Sequence, residues 1–124
     1  MSLRLGEIIL NTQSADHLSE FLSELFDCEI RKSDNGFLVL YEQFSFHIIP
    51  REIKFNQSPT QVHFFLDSEE ELEQVFQKYQ FILYKNKMAV LEAGTHIKKE
   101  DTRSYFEFLD VDKRVWTFSF NKNM

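Results

Sequence analysis

Residues 6–25, GEIILNTQSADHLSEFLSEL, and residues 60–79, TQVHFFLDSEEELEQVFQKY, carry the same pattern of apolar and polar positions, 54 places apart and without a gap. Each begins with an apolar-rich alternating stretch. Ile8 and Leu10 fall on Val62 and Phe64, on one face of a strand whose side chains alternate. Each strand then meets a serine, Ser14 or Ser68, in the N-cap role, and Ser68 forms a capping box with Glu71. Behind the caps the spacing becomes helical: Leu18, Phe21, Leu22 and Leu25 match Leu72, Val75, Phe76 and Tyr79, a stripe for burial against a sheet. The opposite sides, Asp16, Ser19, Glu20 and Ser23 in one helix and Glu70, Glu73, Gln74 and Gln77 in the other, read as solvated faces.

The segments behind the helices also correspond. After the first come CEIRKS, the hairpin signal Asp34-Asn35-Gly36, FLVLY, the short link Glu42-Gln43 and FSFHII. After the second come FILYKNKMAVLEA, a polar stretch, YFEFL, the turn DVDKR and VWTFSF. Each half therefore reads β-α-β-β-β, an α+β pattern. PREIKFNQSPT, residues 50–60, holds both prolines and joins the halves. Two copies indicate an internally duplicated domain, since a solenoid needs at least three. The 124 residues make one domain, with module 1 at about 3–50, a linker at about 50–60 and module 2 at about 60–120.

Alternation assigns faces. With Ile8, Leu10, Phe46, Ile48, Val62, Phe64, Leu66, Trp116, Phe118 and Phe120 under the helices, the other faces carry Glu7, Ile9 and Asn11; Ser45, His47 and Ile49; Gln61, His63 and Phe65; and Val115, Thr117 and Ser119. A chain that needed only a core would not mix Glu, Asn, His, Gln, Thr and Ser into these faces. They read as the lining of a wet, partly apolar concavity.

Composition narrows the function classes. The net charge is −6, from 20 acidic and 14 basic residues, and no Lys/Arg cluster exceeds the Lys98-Lys99 pair. Nucleic acid, which needs a basic face, is not an expected partner. No apolar run approaches a membrane span, and MSLRLGE has no signal-peptide core, so a cytoplasmic protein is expected. The single cysteine, Cys28, forms no internal disulfide and reads as an inert thiol. His17 and His96 are expected at the surface.

The duplicated βαβββ pattern, together with the turn Asp110-Val111-Asp112-Lys113-Arg114 leading into Val115-Trp116-Thr117-Phe118, resembles the vicinal oxygen chelate superfamily, which includes glyoxalase I, extradiol dioxygenases, fosfomycin-resistance enzymes and bleomycin-binding proteins. The resemblance spans residues 3 to 120, although Val111 and Lys113 stand where that family commonly has Pro and Gly. It implies two modules curled into a cup-shaped mixed β-sheet with helices outside, and a homodimer. The family's metal-dependent members hold a divalent ion, such as Zn, Ni, Fe or Mn, by one ligand on each of the first, fourth, fifth and eighth strands. Those positions fall on Glu7, His47, Gln61 and Thr117, of which only the first two are good ligands. His63 could replace Gln61, but a two-residue step moves the side-chain root about 6.6 Å.

The expectation is therefore a small-molecule binding protein with a degenerate metal site and no cofactor, lined by Glu7, Asn11, His47, Gln61, His63, Phe65, Thr117 and Ser119. The alternatives are a metal-dependent lyase, isomerase or dioxygenase using Glu7 and His47 as ligands, with water or a shifted His63 completing the shell, and a ferredoxin-like interaction domain. His63 itself stays open between ligand, lining and core filler.

Overall fold

The computed structural model describes residues 2–52, 60–85 and 96–122. The chain divides into two compact units, Met1–Gln57 and Ser58–Met124. In the first unit β1 (Glu7–Thr12) is followed by α1 (Ala15–Phe26), β2 (Glu29–Ser33), β3 (Gly36–Leu40) and β4 (Ser45–Pro50). In the second, β5 (Gln61–Phe65) is followed by α2 (Glu69–Lys85), β6 (Lys98–Lys99), β7 (Arg103–Leu109) and β8 (Val115–Asn121). Each unit holds a four-stranded mixed sheet, ordered β1-β4-β3-β2 and β5-β8-β7-β6, with the first pair parallel and the others antiparallel. The expected βαβββ repetition is thus the observed topology.

The predicted stripes do the packing. Leu18, Phe21, Leu22 and Leu25 of α1 are buried with Leu10, Val39, Phe46 and Ile48. On α2, Leu72 and Tyr79 are buried while Val75 and Phe76 are only partly covered, and Ile82 and Leu83 continue the stripe. Tyr79 stacks on Phe108 at 4.4 Å, and burial pushes its phenol up to about 12. Phe106, Phe108, Trp116 and Phe118 complete this core.

Three local expectations need correction, and a fourth holds. Phe81–Lys85, read as the start of a strand, continues α2, because Ile82 and Leu83 extend its helical spacing; the rest of that stretch, residues 86–93, lies outside the described residues. Ser14 stands at the N-cap of α1 without a side-chain cap bond, and its backbone N–H donates to Thr12 Oγ1 instead. Ser68 does cap α2: Glu71 N–H donates to Ser68 Oγ at 3.1 Å, and the Glu71 carboxylate reaches back to Asp67 N–H. Ser19 is buried rather than solvated, its hydroxyl turned back to Asp16 O.

Turns close the strands by specific means. Asp27 ends α1 in the left-handed conformation (φ 54°), and Cys28 N–H returns to Ser23 O. Cys28 itself donates its thiol hydrogen to Phe26 O. Before β8, Lys113 takes φ 62°, the conformation for which the family's glycine would be suited. Asp110 organises that turn by accepting from Asp112 N–H, Arg114 N–H, the Arg114 guanidinium and Trp116 Nε1–H. No described helix is long and apolar enough to cross a membrane.

Candidate functional site

In the first unit α1 covers one sheet face and leaves the polar positions on the other. Glu7 lies opposite Ser45 and Ile9 opposite His47, so Glu7 and His47 are diagonal neighbours across the parallel β1–β4 pair. Their side chains lean together, with His47 Nδ1 at 3.6 Å from Glu7 Oε1. The other ring nitrogen, Nε2, sits 2.9 Å from Asn35 Oδ1 and 3.3 Å from Ser33 Oγ, both contributed by the β2–β3 hairpin. A half-buried imidazole is thus held on one side and faces a carboxylate on the other. Asn11 lies farther along the strand, opposite Ile49, and is exposed.

The second unit carries a different arrangement on its helix-free face. His63, Thr117 and Glu107 form one cross-strand row, and Phe65, Ser119 and Tyr105 form the next. His63 Nε2 is 2.7 Å from Ser119 Oγ, and the ring stacks on Phe65 with centroids 4.4 Å apart. Ser119 is fully buried, so the imidazole satisfies a hydroxyl that would otherwise be costly there. His63 is therefore a face residue and not core filler, while Phe65 is 64% exposed beside it. Burial lowers the His63 pKa below the usual histidine value; Arg103 lowers it further and Glu107 opposes both. Thr117 Oγ1 donates to Glu107 Oε2 at 3.4 Å. Gln61 lies exposed at the start of β5, opposite Val115.

Glu107, Tyr105 and Arg103 were not among the sequence candidates, although β7 alternates cleanly, with Ser104, Phe106 and Phe108 buried. Applying the face rule to that strand would have found them. The Arg103 guanidinium lies over the Tyr105 ring at 4.1 Å and pairs with Glu100. In sequence Ser33 belongs to a strand segment and Asn35 to a hairpin signal; their reach to His47 depends on register, which no local pattern displays.

The four positions that the resemblance assigns to a metal fit one only in part. Two ligands at 2.0–2.2 Å from a tetrahedral ion lie roughly 3.4 Å apart, close to the Glu7–His47 spacing. At the equivalent diagonal of the second unit, Gln61 is neutral and the Thr117 hydroxyl is turned to Glu107. His63, the proposed substitute, has its Nε2 at Ser119. Among the described residues no three His, Cys, Asp or Glu side chains group closely enough to hold an ion. The donor set is incomplete, and no reaction step through a metal follows from it.

No protein-family model matches the chain, and no curated protein matches it in sequence. Solved structures do match over nearly its whole length. The oxidase ChaP-H2 superposes with a TM-score of 0.72 at 12% identity, covering 98% of this chain and 95% of that one. A lactoylglutathione lyase from Agrobacterium tumefaciens gives 0.67 at 11%, covering 93% and 91%. The fosfomycin resistance protein FosX from Listeria monocytogenes gives 0.69 at 16%, covering 99% and 94%. At such identities the likeness establishes the fold, which is the glyoxalase-like fold of vicinal oxygen chelate proteins. Those neighbours include both enzymes and resistance proteins.

Proposed function

We propose that this chain is a small-molecule binding protein of the glyoxalase and bleomycin-resistance type whose metal site has decayed. The observation that carries this reading is the contrast between the two diagonals: Glu7 and His47 meet at 3.6 Å, whereas Thr117 at the matching place is a neutral group engaged by Glu107. Polar and aromatic groups on the helix-free faces, His47 and Glu7 in one unit and His63, Phe65 and Thr117 in the other, would supply ligand recognition. Thermal unfolding in the presence of chelator, against a panel of small molecules, tests it. Stabilisation by at least one compound is expected, because a ligand that binds only the folded state raises the midpoint; no shift with any would favour an interaction domain instead.

A second reading, a metal-dependent lyase, isomerase or dioxygenase, is favoured by that same 3.6 Å spacing, which suits two ligands of one ion. One divalent ion per purified chain, lost on Glu7→Gln or His47→Ala, would establish it.

A further inference from the structure

We infer that Asn35 is a positioning residue: it holds His47 in the Nε2–H tautomer, so that Glu7 and His47 present two acceptors and select a ligand bearing a protonated amine. This rests on the binding reading above and names its ligand class. The tautomer follows from the partners. Asn35 Oδ1 can only accept, and at 2.9 Å it accepts a hydrogen bond from Nε2, which therefore carries the ring proton. Ser33 supports the same arrangement, since its hydroxyl donates to Asn35 Oδ1 at 3.3 Å while lying 3.3 Å from Nε2.

In the neutral ring this leaves the Nδ1 lone pair facing the Glu7 carboxylate. Their separation of 3.6 Å is too long for a hydrogen bond, and with Nδ1 bare there is no proton to share. Two acceptors, one of them anionic, are complemented by a group that carries several donors and a positive charge. An ammonium group satisfies both at ordinary hydrogen-bond lengths, and its charge makes the bonds stronger than those of a neutral hydroxyl. A ligand carboxylate would meet two like partners. Ile9, 55% exposed and directly opposite His47 in register, gives the ligand's carbon skeleton an apolar neighbour. The chain's net charge of −6 likewise favours a cationic ligand.

The test has two arms. In the first, long-range proton–nitrogen correlation NMR of the 15N-labelled protein reads the His47 ring well above the ordinary histidine titration range. We expect protonated Nε2 and bare Nδ1 in the wild type, a tautomer mixture in Asn35→Ala, and retention of the wild-type tautomer in Asn35→Asp, which keeps an acceptor. An Nδ1–H ring in the wild type, or a ring indifferent to Asn35→Ala in a folded variant, overturns the positioning role. In the second arm, 2-phenylethylammonium and 3-phenylpropionate are titrated while the same nitrogens are followed. The ammonium should bind at least about fivefold more tightly, with its effect on His47 Nδ1 lost in Glu7→Gln. Equal or tighter binding of the carboxylate, or no response to either probe, overturns the ligand class. The first arm needs no ligand, so its failure is distinct from failure of the binding reading, which appears as absence of stabilisation by every small molecule.

Discussion

Trp116 donates its indole N–H to Asp110 Oδ2 at 2.9 Å, the same oxygen that holds the Arg114 guanidinium at 2.6 Å. A single buried carboxylate thus joins the last turn to the core of the second unit. Asp110→Ala removes the nearer of two carboxylates from a buried guanidinium, leaving Asp112 Oδ2 at 4.0 Å, and takes the hydrogen-bond acceptor from the Trp116 indole, and should cost about 3 kcal/mol. Denaturant unfolding followed by the fluorescence of the chain's single tryptophan checks this. Asp110→Asn, which keeps an acceptor, should lose less.

Lys113→Gly should stabilise the protein. Lys113 occupies the left-handed region at φ 62°, which costs an L-residue about 1 kcal/mol or more. Glycine removes that strain and returns part of the gain as unfolded-chain entropy. A net increase of about 0.5 kcal/mol in unfolding free energy is expected from the same denaturant experiment.

Gly36→Ala should do the opposite. A β-carbon there would collide with the Ile48 carbonyl, a backbone atom in the neighbouring strand that cannot swing aside. Separation of β3 from β4 at that point should cost about 1–3 kcal/mol, read as a lower thermal midpoint.

These residues also mark how far the sequence was legible. The helices, the duplication and the face of each predicted strand follow from periodicity, because burial against one layer imprints a period of 3.6 or 2 on the chain. The end of α2 did not, since Phe81–Lys85 is apolar enough for either a strand or a helix, and only packing of Ile82 and Leu83 decides it. Glu7 and His47 were legible as facing the same way, but the 3.6 Å approach depends on the parallel register of β1 with β4. The contacts His63–Ser119 and His47–Asn35 span 56 and 12 positions and are set wholly by strand pairing.

His63 gives a pH prediction. Its folded-state pKa lies below the unfolded value near 6.5, through burial first and Arg103 second. The unfolded chain therefore binds the proton more readily. His63 contributes no change above that value, and stability falls as pH drops through 6.5 toward the folded pKa. His63→Gln should flatten that part of the thermal midpoint against pH curve. Arg103→Gln should raise the His63 titration midpoint and Glu107→Gln should lower it, both measurable by NMR.

The claim that the metal site is incomplete is tested most directly by calorimetric titration of chelator-treated protein with Zn, Ni, Fe(II) and Mn salts. The account predicts no ion bound more tightly than about micromolar, since only one carboxylate and one imidazole of the four-position set are good ligands. A one-to-one site of nanomolar affinity, abolished by Glu7→Gln or by His47→Ala, would contradict it.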